Sequence, residues 1–141
     1  LWDDAQSRAG EKIKLKTDHQ IRRLVLCSGK VYYDLYEARE AAGIDDVYLM
    51  RLEQLYPFPA RALIAELSRF PQAEIVWAQE EPKNMGAWSF VEPNIEWVLE
   101  QIGAQNKKLG YAGRPASAAT AVGQMSKHLA QLKAFLNDAL A

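Results

Sequence analysis

Two clusters in this 141-residue chain have the residue types that anion or acid–base chemistry needs. The first is Ser28-Gly29-Lys30, which follows the apolar run Leu24-Val25-Leu26-Cys27. A glycine turn between a strand and a helix presents free backbone amides, and the helix dipole adds to their pull on anions. Lys30 would contribute a point charge. The spacing is nevertheless not that of a phosphate loop, which needs G-x-x-x-x-G-K-[ST] so that successive amides wrap the phosphates. No glycine lies at that distance upstream, no Ser or Thr follows the lysine, and no G-x-G-x-x-G occurs. A solvated lysine at a helix start is the plainer reading. The second cluster is Glu80-Glu81, directly after the apolar segment Ile75-Val76-Trp77. Functional loops of open parallel sheets follow strands in this way. Side chains at adjacent positions diverge, so a coupled catalytic dyad is not expected. Capping, or pairing with cations across a domain contact, fits better.

The remaining reactive residues are isolated. Cys27 is the only cysteine. It can form no internal disulfide, which suits a reducing compartment, and in its apolar run it reads as a small buried hydrophobe. A reactive thiol would need a cation or a helix N-terminus beside it, and the following Ser28-Gly29-Lys30 leaves that open. His19 and His128 have no partners at metal-ligand spacing. Arg114-Pro115, with Ser117 nearby, could bind an anion or fix the C-terminal helix.

These residues must be held by a regular frame. Residues 1–20 are polar and without period, and read as a linker or extended arm in which Trp2 could anchor on a neighbouring domain. Residues 21–141 read as one domain. Leu24–Cys27 is a buried strand, Ser28 an N-cap, and Val31, Leu35, Ala38 and Ala42 the inner face of a helix stopped by Gly43. Asp46–Leu52 is the next strand. Leu63, Ile64, Leu67 and Phe70 mark a helix ended by Pro71. Glu74–Gln79 is a third strand, followed by a loop from Glu80 to Gly86. Trp88, Val91, Ile95, Val98, Leu99 and Ile102 mark a helix that Pro93 should kink or divide. Lys107–Tyr111 reads as a short fourth strand. Val122, Met125, Leu129, Leu132, Leu136 and Leu140 give an amphipathic last helix. The alternation predicts an α/β fold, with a mainly parallel sheet and helices on both faces.

Composition excludes several classes. The net charge of −1, with 25% charged residues, gives no field to gather nucleic acid or anionic lipid. No apolar run approaches the roughly 20 residues of a membrane span, and the N-terminus lacks the pattern of a signal peptide. The chain begins at Leu1 rather than Met, as a fragment of a longer protein would.

Four blocks carry the reading further: Leu26-Cys27-Ser28-Gly29-Lys30-Val31-Tyr32-Tyr33-Asp34-Leu35, Arg51-Leu52-Glu53-Gln54-Leu55-Tyr56-Pro57-Phe58-Pro59, Gln79-Glu80-Glu81-Pro82-Lys83-Asn84-Met85-Gly86-Ala87-Trp88, and Tyr111-Ala112-Gly113-Arg114-Pro115-Ala116-Ser117. In this order and spacing residues 21–141 resemble the C-terminal domain of the decarboxylating dehydrogenase component of 2-oxoglutarate dehydrogenase complexes. The resemblance implies a transketolase C-terminal-like fold, a three-layer α/β/α sandwich with a mostly parallel sheet and one antiparallel edge strand. It implies a full-length homodimer that uses thiamine diphosphate and Mg²⁺ to decarboxylate 2-oxoglutarate. That enzyme passes succinyl to the lipoyl arm of the dihydrolipoyl succinyltransferase component, in the bacterial cytoplasm or the mitochondrial matrix. The family holds its cofactor with a Gly-Asp-Gly…Asn motif, and no Gly-Asp-Gly occurs here. The resemblance therefore implies that this segment has no catalytic, cofactor or metal residues of its own, and that it supports upstream thiamine-binding domains. Lys30, Arg51 and Arg114 are its candidate allosteric anion ligands, with AMP or acetyl-CoA as the ligand type. Glu80, Glu81, Asn84 and Trp88 are its candidate domain-interface residues. Two other readings are a regulatory nucleotide-binding module and the same domain of a pyruvate or branched-chain enzyme.

Overall fold

The fold follows from two neighbouring strands whose centres, Leu24–Cys27 and Ile75–Ala78, are apolar and buried at consecutive positions. In the computed structural model, which describes residues 2–3, 15–114 and 125–141, with side chains for 15–114 and 132–141, β2 (Arg23–Cys27) runs between β3 (Val47–Arg51) and β4 (Glu74–Pro82). All three are parallel, with Val25 opposite Leu49 on one side and Val76 on the other. β5 (Gly110–Arg114) adds to β4 in parallel. At the far edge the two-residue β1 (Trp2–Asp3) pairs antiparallel with β3, Trp2 opposite Arg51. The order is thus β1-β3-β2-β4-β5. The N-terminal end of the arm is therefore laid on this chain's own sheet.

Because alternate side chains point to opposite faces, an unbroken apolar strand needs cover on both. Leu24, Leu26, Tyr48, Met50, Ile75 and Trp77 face α2 (Ala60–Leu67) and α3 (Trp88–Gln101). Val25, Cys27, Val47, Leu49, Val76 and Ala78 face α1 (Val31–Ala42) and α4 (Met125–Leu140). The result is the expected three-layer α/β/α arrangement. Leu132, Phe135, Leu136 and Leu140 bring α4 onto the sheet; Val122 and the side chains of Met125 and Leu129 lie outside the described residues. No described helix is long and apolar enough to cross a membrane.

Several boundaries differ from the sequence reading. Ser28 does not cap α1: Gly29 and Lys30 form a turn first, and Lys30 is the N-cap. Gly43 does stop the helix, with φ 68° and its N–H returned to the carbonyls of Arg39 and Glu40. Helix α2 ends at Leu67, where the Ser68 hydroxyl donates to the Ile64 carbonyl. Phe70 lies beyond the helix yet is buried, its ring 4.8 Å from that of Tyr48. Pro93 does not divide α3: its ring is exposed, only one ladder bond is forfeited, and the Asn94 amide donates to the Phe90 carbonyl. Strand β4 continues through Glu80 and Glu81 to Pro82, where a loop was expected. Strand β5 begins at Gly110 rather than Lys107, because the ladder to β4 starts at Val76 opposite Gly110.

Two adjacent arginines fasten the last helix. Arg22 donates to the carbonyls of Leu140 and Ala141, and Arg23 to those of Asp138 and Ala139. Terminal helix carbonyls have no partners in the helix itself, and a guanidinium there also favours the dipole. Arg23 additionally pairs with Glu74 at 2.9 Å. Replacement Arg23→Ala should lower unfolding free energy by about 1–3 kcal/mol, the usual range for charged hydrogen bonds. Urea denaturation measures this, and amide exchange should accelerate first in α4.

Candidate functional site

Among the described residues, Cys27, Lys30, Arg51, Glu80, Glu81 and Arg114 lie at or just beyond a strand's carboxyl end. Crossovers leave β2 toward β3 on one side, and the chain returns past β2 to β4 on the other. That makes the β2–β4 junction the switch point of the sheet, where open α/β folds form a crevice. The turn after β2 supplies Lys30 and the end of β4 supplies Glu80. Their side chains meet across the junction at 3.0 Å. The hydrogen bond to Glu80 raises the Lys30 pKa. Asp34, one turn into α1, joins them. Burial raises its pKa first, and the neighbouring Glu80 raises it further against the opposing pull of Lys30. Two carboxyls thus share one ammonium.

Arg51, at the end of β3, lies on the other side of β2 and does not join this group. It donates to the Tyr33 hydroxyl at 3.1 Å and the Glu53 carboxylate at 2.9 Å, and its guanidinium lies 5.5 Å from the ring centres of Tyr32 and Tyr33. Burial opposes its charge, but the hydrogen bonds to Tyr33 and Glu53 outweigh that and raise its pKa. Arg114 ends β5, and its carbonyl accepts from the Tyr111 hydroxyl at 2.6 Å and the Lys83 amide at 3.1 Å. The three candidate cations therefore share one edge of the sheet at three separate stations. Ser117 lies outside the described residues, as does the side chain of His128.

Of the residues expected at a domain contact, Glu81 and Asn84 are exposed and Glu80 is half-buried against Lys30. Trp88 is buried and stacks edge-on against Tyr111 at 5.0 Å. Lys83 reaches over both rings, 5.3 Å from that of Trp88 and 5.2 Å from that of Tyr111. Such a cation–π contact holds the loop onto the core. Burial pushes the Tyr111 pKa up, so its hydroxyl keeps the proton it donates to Arg114. Cys27 is fully buried, in agreement with its reading as a small hydrophobe.

The residue that organises this edge is Gln79, which the sequence marks as a strand end and the start of the third block but not as a site residue. Its amide is buried. The oxygen accepts from the Trp77 indole at 2.9 Å and the Trp88 backbone amide at 3.1 Å. The nitrogen donates to the carbonyls of Glu81, Pro82 and Met85. One side chain thereby closes the β4–α3 connection and supplies the first turn of α3 with an acceptor, since Ala87 makes no side-chain cap. At the same level the β4–β5 ladder is irregular between Gln79 and Pro82, a bulge of the kind found beside functional edges. Gly113 makes the close approach possible: a Cβ there would sit 2.7 Å from the Gln79 carbonyl. A buried polar side chain directly after an apolar run was the available sequence signal for Gln79.

Comparison with known proteins agrees with this architecture. The family model described as 2-oxoglutarate dehydrogenase C-terminal matches residues 3–140. The 2-oxoglutarate dehydrogenase E1 components of Brucella anthropi and Brucella ovis are each 71% identical to this chain over 140 residues, and that of Brucella abortus is 69% identical. Each match covers 99% of this chain and 14% of the relative, so the chain spans about a seventh of the length of the proteins it matches.

Two outcomes follow from the geometry. Gln79→Leu should destabilise by about 3 kcal/mol or more, because each buried partner left unmade costs about 1–3 kcal/mol; chemical denaturation reads the loss. For Asp34 the folded chain holds its proton more tightly than the unfolded chain. Its contribution is most favourable at acid pH, below the ordinary value of 3.8, and is lost as pH rises through the raised folded pKa. Asp34→Asn should therefore melt higher than the parent at pH 7, and the gap should close below about pH 4.

Proposed function

The chain belongs to the 2-oxoglutarate dehydrogenase C-terminal family, and from that premise we propose that it is the non-catalytic assembly domain of a 2-oxoglutarate dehydrogenase E1 subunit. The full-length subunit oxidatively decarboxylates 2-oxoglutarate and delivers succinyl to the lipoyl group, a disulfide acceptor, on the dihydrolipoyl succinyltransferase component. It works as a homodimer in the bacterial cytoplasm. Thiamine diphosphate supplies the electron sink for decarboxylation, with Mg²⁺ holding its diphosphate. The residues of this chain do not fit that group. There is no Gly-Asp-Gly, and among the described residues no three His, Cys, Asp or Glu side chains gather as metal ligands. Asp34 and Glu80, the nearest approach to a carboxylate pair, are tied to Lys30. No reaction step is assigned to this chain.

One observation carries the assembly reading: the buried Gln79 amide spends every polar atom on the chain's own loop. A polar group at a switch point that served substrate would have to leave valences for it. Here they fix the shape of the Glu80–Gly86 segment, which presents Glu81 and Asn84 outward to the upstream thiamine-binding domains.

A second reading is a regulatory anion site for AMP or acetyl-CoA, favoured by Lys30, Arg51 and Arg114 standing at the carboxyl ends of three strands. Calorimetry of the full subunit with each nucleotide tests it. Absence of heat from both dismisses it.

The assembly reading predicts that the 141-residue chain neither turns over 2-oxoglutarate nor gives a titration with thiamine diphosphate and Mg²⁺, under conditions where the full subunit does both. Turnover by the 141-residue chain alone would overturn it.

A further inference from the structure

We infer that the outer face of α3, together with the loop before α2, is the surface on which the upstream part of the same subunit packs. The inference rests on the assembly reading and names a face distinct from the Glu80–Gly86 edge. Three of the four large hydrophobic side chains exposed among the described residues are here: Tyr56 at 84%, Trp97 at 51% and Phe90 at 40%. Phe90, Pro93 and Trp97 are three and four residues apart, so they form one stripe along the helix. All three are exposed. The Phe58 ring extends the stripe sideways, 6.1 Å from that of Phe90 and perpendicular within 20°.

Between Phe90 and Trp97 the stripe carries no charge; the exposed Glu100, three residues on, closes its far end. Glu96, the sequence neighbour of Trp97, is tied elsewhere: its carboxylate accepts from the Leu109 amide at 2.9 Å and faces Lys108 at 3.9 Å. Asn94, the polar residue in the stripe, spends its amide on the Phe90 carbonyl. Depletion of charge around large aromatics is the mark of an interface core, and tryptophan is the side chain most often found at its energetic centre. The helix needs none of these residues inward. Its buried face is Trp88, Val91, Ile95, Val98 and Leu99.

The occupant follows from length. This chain matches 14% of each relative, and the matching family is defined as a C-terminal one. Six-sevenths of such a subunit lie outside these residues, on the N-terminal side. A second copy of this chain would meet the same stripe only through a twofold contact.

Hydroxyl-radical footprinting with mass spectrometry tests the inference, using the full-length subunit and the 141-residue chain. Phe90 and Trp97 should be oxidised roughly fivefold or more slowly in the full subunit, because interface cores exclude water. In the full subunit Trp97→Glu should speed proteolytic release of this domain roughly tenfold, since cleavage tracks the open population. The same substitution should leave the melting temperature of the 141-residue chain unchanged. Equal oxidation of Phe90 and Trp97 in both proteins, with residues 80–86 protected in the full subunit, overturns this surface and leaves the assembly reading standing. If no residue of the chain is protected in the full subunit, both fail.

Discussion

Burial of β2 and β4 on both faces is the constraint from which the rest of the structure follows. Leu24–Cys27 and Ile75–Ala78 place apolar side chains up and down at consecutive positions, so neither face of the sheet can be left to solvent. Four helices are needed to cover them, two on each side. Once the faces are covered, polar chemistry can occur only at the strand ends or on the outer surfaces of the helices. That is where Lys30, Arg51, Glu80, Glu81 and Arg114 lie. The handedness of parallel crossovers then decides which ends adjoin. α1 on one face, and α2 and α3 on the other, put the turn after β2 directly beside the end of β4. The Lys30–Glu80 pair is therefore a product of topology: the two residues are fifty positions apart and meet because their strands are neighbours.

The fold was largely legible in the sequence, since apolar runs and their spacing report burial directly. The end of α1 was readable to the residue because an apolar period of three and four ended on Gly43, which takes φ 68°. The ends of β4 and β5 were not. Glu80 and Glu81 look like loop residues, yet they stay in the strand because Gln79 beneath them ties the chain at Pro82 and Met85. Gly110 and Gly113 look like turn residues, yet they allow β5 to lie close against a bulged β4. In both places a specific contact between distant segments overrode local preference, and no window of sequence contains both partners.

The candidate site was legible only in part, for a related reason. Charged side chains at helix starts and strand ends can be listed from sequence, but their partners cannot. No window of sequence shows that Lys30 faces Glu80 at 3.0 Å, or that Arg51 bonds Tyr33 and Glu53. Glutamine escaped attention because it titrates nothing. In a dry strand end, however, an amide with four hydrogen-bonding sites organises more backbone than a carboxylate can, since it both donates and accepts. The outer stripe of α3 was hidden differently. Trp97 stands outside the helical series Trp88, Val91, Ile95, Val98, Leu99 and Ile102, but that spacing does not tell what covers it.

The two kinds of polar contact at the carboxyl edge differ in strength, and the difference bears on how a domain can be both stable and adaptable. The Gln79 network is buried, and breaking it strands donors and acceptors away from water. The Lys30–Glu80 pair is exposed, with the lysine side chain 78% accessible, and such pairs contribute between nothing and about 1 kcal/mol. An incoming carboxylate, phosphate or guanidinium could therefore re-pair Lys30 or Glu80 at little cost, while the loop beneath kept its shape. Arg51 lies between these limits, since its guanidinium is mostly buried against two tyrosines although Glu53 is open. A rigid floor carrying exchangeable charges is what a docking edge requires: the backbone is already ordered, so a partner gains contacts without bearing the entropy of arranging them.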